Sequence, residues 1–208
     1  MTSRSSSDTR RGRGVMIIMA LLCSLSAGYS ANAAEINLSE LRGYSIDAEF
    51  ITNRSYTRVE TSGQRKRIRG SFRYVHKIYI SKTGRLFHRR HMYDPNISRT
   101  KPIWSYDHIR SGRGERLEWG PNSTFIHRGI PSDAKERTTY VRIVRIALSQ
   151  SGGSYSCSVS ALLVLRKGEK QYINYEPSGR YRIVHSFKTR QKFCRVYKGN
   201  VFKGEVGR

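Results

Sequence analysis

The segment HRRHMYD, from His88 to Asp94, brings together side chains that could bind a metal ion or transfer protons. Histidine does both near neutral pH, and a carboxylate can orient its ring. The residues before the segment alternate between apolar and polar and predict a β-strand, in which successive side chains point to opposite faces. His88 and His91 would therefore face away from each other. Ligands of one ion must converge, so we predict no metal site here.

General acid/base catalysis needs a histidine within reach of a carboxylate or another base. The chain has six histidines, but none has a recognised catalytic spacing, and no nucleophile-elbow, phosphate-loop or cysteine–histidine signature is present. We therefore predict no catalytic residue and no cofactor. A hydrolase of anionic polymers with a histidine-based acid/base pair stays open as an alternative. Its candidate residues are His76, His88, His91, His108, His127 and His185, with Asp47, Glu49, Asp94, Asp107, Glu115 and Glu118 as partners.

Positive charge is the extreme property of the chain, at a formal +24 over 208 residues. Basic clusters with aromatic residues between them suit nucleic acid, anionic lipid headgroups and acidic polysaccharide. We expect a non-enzymatic binding module for a polyanion: envelope polysaccharide, lipopolysaccharide, anionic lipid or extracellular nucleic acid. The alternative is a solvated charged surface that keeps the protein soluble. The predicted contact residues are Arg65, Lys66, Arg67, Arg69, Arg89, Arg90 and Arg113.

Residues 1–33 have the layout of a secretory signal peptide. Four arginines precede an apolar run from Val15 to Leu25, and Ala31-Asn32-Ala33 fits an A-x-A cleavage site. The run is shorter than the roughly 20 residues that cross a membrane, although an uncleaved anchor remains an alternative. We predict a periplasmic or extracellular protein. Cleavage would lower the formal charge from +24 to +21 and leave no membrane-spanning segment.

Two cysteines, Cys157 and Cys194, remain after that cleavage. An oxidising compartment favours a disulfide, and two cysteines allow one pairing. We predict this bridge, with two free buried thiols as the alternative.

Strand patterns dominate the rest of the chain, and no segment has the apolar stripe of a helix. Residues 34–208 are predicted to be one all-β domain, an antiparallel barrel or sandwich with mostly meander connections and a long basic loop at residues 95–114. A barrel interior could hold a small molecule, which is the third functional hypothesis. The predicted strands are YSIDAEFI (44–51), 56–60, 71–81, 85–93, 116–119, 124–127, 138–148 and 155–166, then KQYINYE, RYRIVHSF and KFCRVYK.

One hairpin can be predicted residue by residue. A loop of Lys82, Thr83 and Gly84, with the glycine in the left-handed conformation, would pair Ser81 with Arg85. The cross-strand pairs that follow are Ile80 with Leu86, Tyr79 with Phe87, and Ile78 with His88.

Four features of the chain stand in a recurring order: LRGYSI (41–46), YISKTGRLF (79–87), the two late cysteines and GNVF (199–202). On these residues the chain resembles a group of small exported bacterial proteins of unknown function. The resemblance implies an exported β-rich domain and no particular activity.

Overall fold

The structure, a computed structural model, describes residues 35–107, 116–129 and 137–205. The predicted signal peptide and Arg113 lie outside these ranges. Apart from a short 3-10 helix at Leu38–Leu41, every regular element in them is a β-strand. No helix of the described residues is long and apolar enough to span a membrane. The strands are β1 Tyr44–Val59, β2 Arg65–Ile80, β3 Leu86–Tyr93, β4 Trp104–Asp107, β5 Arg116–Gly120, β6 Thr124–Gly129, β7 Arg137–Thr138, β8 Tyr140–Ser151, β9 Ser154–Leu165, β10 Ile173–Tyr175 and β11 Tyr181–Lys198.

The strands form two antiparallel sheets, which confirms the predicted fold class. One is a curled, seven-stranded sheet with the order β4-β3-β2-β1-β11-β10-β7, and the other has four strands in the order β5-β6-β8-β9. In the four-stranded sheet the strands pair in sequence order, except that β7, which lies between β6 and β8 in the chain, belongs to the larger sheet. The last long strand, β11, returns beside the first, β1, in the middle of the larger sheet, whose edge strands are β4 and β7.

The core lies between the two sheets, where alternate residues of each strand meet. Ile46 and Phe50 of β1 and Ile78 of β2 are fully buried, and Phe125 and Ile146 of the smaller sheet belong to the same cluster. Each of these side chains contributes about 1.5–3 kcal/mol through removal of apolar surface from water. This contact explains the two-residue periodicity that the sequence shows.

A disulfide joins Cys157 on β9 to Cys194 on β11, with 5.4 Å between the Cα atoms. The predicted pairing is therefore confirmed, and the bridge links the two sheets. Nearby, β9 is further attached to β11 by Gln191 Oε1, which accepts a hydrogen bond from the Val159 N–H at 2.6 Å.

The predicted hairpin is confirmed in its register. Ser81 N–H donates to Arg85 O at 2.9 Å, and Gly84 has a φ of +85°. Ile80 pairs with Leu86 and Ile78 with His88, as the sequence indicated.

Two strands, β1 and β2, extend further than the sequence pattern indicates, and one strand lies in a segment predicted as loop. Residues 44–51 and 56–60 are parts of the single strand β1, and β2 begins at Arg65 instead of Ser71. Residues 52–55 of β1 and 65–70 of β2 are mostly polar and show no clear strand pattern. The antiparallel ladder from Ser45–Tyr79 to Val59–Arg65 nevertheless pairs their backbone groups. Residues 95–114, predicted as loop, contain β4, which pairs with β3.

Candidate functional site

Three arginines of β2 form the largest part of an exposed cationic surface. Arg65, Arg67 and Arg69 alternate along the strand, so their side chains share the sheet face that points away from the core. All three are exposed. Along an extended strand they are spaced by roughly 7 Å.

Strand β11 places two more cations on this face. Lys188 pairs with Asn53 of β1 and Arg190 with Ile51, and both cations are exposed. Arg65, Arg67 and Arg69 lie opposite residues 59, 57 and 55 of β1, so the two basic rows flank successive stretches of that strand. We call Arg65, Arg67, Arg69, Lys188 and Arg190 the outer basic face.

Carboxylates close to the outer basic face are paired with other arginines. Asp47 accepts from Arg195 at 3.1 Å and Glu49 from Arg73 at 3.2 Å. Glu60, at the β1–β2 turn, lies 3.0 Å from Arg58. Within the described residues, no salt bridge involves any of the five cations of the face. Their charges therefore add to a positive potential.

The other predicted contact residues are placed differently. Lys66 is exposed, but strand alternation directs it to the opposite side from Arg65. Arg89 forms ion pairs with Asp107 at 2.7 Å and with Glu205, and its side chain is 19% exposed. Arg90 is 2% exposed and stacks over Trp104 at 4.1 Å. Arg113 lies outside the described residues, so we leave these four out of the outer basic face.

The sequence-based selection missed Lys188 and Arg190. Their signal is present in the segment FKTRQK, where basic residues recur at every second position. Only the pairing of β11 with β1 shows that these residues join the arginines of β2.

Three histidines meet inside the protein: His76 of β2, His88 of β3 and His127 of β6. They are 0–1% exposed, and the centroids of their rings are 5.0–5.3 Å apart. His76 Nδ1 lies 3.1 Å from His88 Nε2. Sequence analysis identified each residue separately, and the facing sheets bring them together.

Burial and neighbouring charge favour the neutral form of His76 and of His127. Burial lowers the pKa of His76 well below the ordinary value, and the nearby His88 and His127 lower it further, as do Arg90 and Arg142. Burial likewise lowers the pKa of His127, with the same two arginines adding to the effect. A metal ion would be repelled by these guanidinium groups. Within the described ranges no three His, Cys, Asp or Glu side chains are arranged to hold an ion.

Two other histidines contact hydroxyl groups. His91 Nδ1 lies 2.8 Å from Ser105 Oγ, and His185 Nε2 lies 2.8 Å from Thr57 Oγ1. His91 and His88 occupy opposite faces of β3, as predicted. The His91–Ser105 distance suits a base and a nucleophile, but nearby Asp107 is held by Arg89. We assign no catalysis to this pair.

Comparison with protein-family models and with curated proteins gives no match. The resemblance to small exported bacterial proteins remains a prediction, and any function has to be argued from the geometry of the chain itself.

Proposed function

We propose that this protein is a non-enzymatic binding module whose outer basic face contacts an acidic polysaccharide, such as the charged sugars of an envelope or of lipopolysaccharide. The observation that carries the proposal is the face itself. Five exposed cations lie on two strands, and no described carboxylate pairs with any of them.

The direction of the aromatic side chains favours a polysaccharide over nucleic acid. Single-stranded nucleic acid is held by cations together with aromatic rings on which bases stack. The aromatic residues among the basic residues of β2 point to the interior, since Phe72 is half-buried and Tyr74 is fully buried. Contact through charge alone suits a polymer that offers carboxylate or sulfate groups.

The disulfide supports a periplasmic or extracellular location for this module. Structural disulfides persist in oxidising compartments and are rare in the cytoplasm. Envelope and extracellular polysaccharides occur in the same compartments, so the proposed ligand and the proposed location agree.

Binding to immobilised heparin and to lipopolysaccharide tests the proposal. We expect affinity to fall steeply between 50 and about 200 mM salt because association releases counterions. Replacement of Arg65, Arg67 and Arg69 by Gln should weaken binding and reduce the salt slope by about 2 to 3, roughly one unit per lost contact.

The matched control removes three exposed cations elsewhere, Arg145, Lys167 and Lys170, by the same change to Gln. It should retain most of the affinity. An equal loss in both variants, retention that ignores salt, or no retention at all would contradict the proposal. Tighter binding to single-stranded DNA than to heparin at equal salt would assign the face to nucleic acid instead.

A further inference from the structure

A second cationic site lies inside the protein, around the phenol of Tyr74. Tyr74 is fully buried on β2. Its Oη accepts hydrogen bonds from Arg54 Nη2 of β1 and from Arg142 Nη1 of β8, the latter at 3.0 Å. One hydroxyl oxygen thus holds guanidinium groups from both sheets.

Aromatic rings lie close to both guanidinium groups. Arg54 lies 4.7 Å from the centroid of Phe72 and 5.3 Å from that of Phe187. Arg142 lies 5.0 Å from the centroid of Tyr74. Such a cation–π contact holds a guanidinium beside the ring while its N–H groups can still donate to an acceptor.

A third guanidinium approaches the same region at Gly129 of β6. A Cβ atom at this position would lie 3.2 Å from Arg142 Nη2 and 3.5 Å from Arg90 Nη1. The absence of a side chain therefore lets two arginine heads converge from facing sheets.

Carboxylates do not balance the charge of Arg54 and Arg142. Within the described residues neither arginine forms a salt bridge, although both are half-buried. Burial raises the pKa of Tyr74, but the charges of Arg142, Arg54 and Arg90 and the hydrogen bond from Arg54 outweigh it, so the pKa is lowered. The potential at the phenol is positive, and a buried charge without a partner is costly.

Several buried side-chain atoms in this region have no hydrogen-bond partner among the described residues. Arg54 Nε and Arg142 Nε are buried without a hydrogen-bond partner in the described part of the chain. Thr52 lies two residues before Arg54, on the same face of β1. Thr52 Oγ1 and His76 Nε2 also have no hydrogen-bond partner among the described residues, and both residues are 0% exposed. Buried polar groups are nearly always hydrogen-bonded. The group that would satisfy this set is an acceptor with negative charge.

From these contacts we propose that the interior binds a small oxyanion, a phosphate or carboxylate group, between Arg54 and Arg142 beside Tyr74. Arginine matches both groups because its fork of N–H donors engages two oxygens at once. The site is separate from the outer basic face, which lies on the other side of the large sheet, and it does not rest on the polysaccharide proposal.

Neighbouring residues can accommodate the remainder of an organic ligand. A pocket of about 240 Å³ is lined by Phe187 and Leu163 among others. These two residues are the cross-strand partners of Arg54 and Arg142, respectively. Tyr140 is half-buried and interacts electrostatically with Arg54 and Arg142. A small aromatic or aliphatic acid would therefore find apolar surface close to its carboxylate.

Calorimetric titration of the purified protein tests this site, with inorganic phosphate and benzoate as separate probes at constant ionic strength. We expect saturable binding of at least one probe and a rise in Tm with its concentration. The two probes separate a free phosphate from an organic carboxylate as the ligand.

The variants Arg54→Lys and Arg142→Lys keep the charge and remove the fork of donors. Each should weaken binding at least tenfold while heparin affinity stays unchanged. The triple variant Arg65→Gln, Arg67→Gln and Arg69→Gln should show the reverse pattern, which separates failure of this site from failure of the outer basic face. If wild type binds neither probe, or if both Lys variants bind as wild type does, the proposal is wrong. The wild-type titration decides the matter even if a Lys variant does not fold.

Discussion

At the residue scale, the strongest departures from ordinary behaviour are in the interior. The imidazoles of His76 and His127 occupy positions where aliphatic side chains would be usual, and the arginines around Tyr74 add charge to the same region. Each group depends on its neighbours for its protonation state. Measurements of pH dependence are therefore the direct way to examine the residues of this core.

The histidine cluster predicts loss of stability in mild acid. The folded pKa values of His76 and His127 lie well below 6.5, so the unfolded chain binds more protons as the pH falls below about 6.5. The contribution of these two histidines to the free energy of unfolding is fully present above that pH. Below it the free energy of unfolding declines by up to about 1.4 kcal/mol per pH unit for each histidine. Urea unfolding at pH 7.5, 6.5 and 5.5 measures this effect above the range in which most carboxylates titrate.

A variant separates the cluster from other titrating groups. His76→Leu keeps a buried side chain of similar size and removes a histidine whose pKa is lowered by burial and by its neighbours, among them Arg90 and Arg142. The slope of stability against pH should be smaller in this variant than in wild type. An unchanged slope, or constant wild-type stability from pH 7.5 to 5.5, would show that the cluster does not control the acid response.

At the element scale, tight connections set the register of the long antiparallel ladders. Gly84 closes the β2–β3 hairpin, and Gly152 and Gly153, both with positive φ, close the β8–β9 hairpin. A shift of one residue would reverse every side chain between core and surface. The turns therefore decide which of His88 and Arg89 enters the interior.

The β2–β3 turn predicts a graded effect of substitution. Gly84 has a φ of +85°, and a Cβ there would make only ordinary contacts, the nearest at 3.5 Å from Arg42 Nε. The cost of Gly84→Ala is therefore conformational, about 1 kcal/mol. Gly84→Asn should cost less because asparagine tolerates the left-handed region. Chemical denaturation gives both values, and equal stability of wild type and the Ala variant would contradict the assignment.

At the scale of the whole molecule, the two sheets are held together by the apolar core and by one covalent link between β9 and β11. Cys157 and Cys194 are 37 residues apart in sequence. Their bridge constrains β9 against β11 next to the core, whereas Arg54 and Arg142 lie on the neighbouring strands β1 and β8, opposite Phe187 of β11 and Leu163 of β9. The core therefore changes from apolar near the disulfide to cationic near Tyr74.

We expect removal of the disulfide to cause a large loss of stability. Substitution of both Cys157 and Cys194 by Ser should lower the free energy of unfolding by about 4 kcal/mol in the entropic model for a closed loop of this length. Denaturant unfolding of the double variant measures the loss. Titration of free thiols in the unfolded wild type is the control, and two reactive thiols would show that the bridge does not form.

Several features could be predicted from sequence because they depend on local order. Alternation predicted all-β structure, and the single pairing of two cysteines predicted the disulfide. The position of Gly84 predicted the register from Ile80–Leu86 to Ile78–His88. The same alternation predicted that His88 and His91 face opposite sides of β3.

Other features were decided by the tertiary structure. Alternation shows which residues of a strand share a face, but it does not show which distant strand that face meets. Pairing of β11 with β1 added Lys188 and Arg190 to the outer basic face, and packing of the small sheet brought His127 to His76 and Arg142 to Tyr74. Arg90 and Arg65 both belong to basic clusters of the sequence, yet Arg90 is buried and Arg65 is exposed. Charge is a property of the residue, whereas burial depends on contacts between segments far apart in the chain.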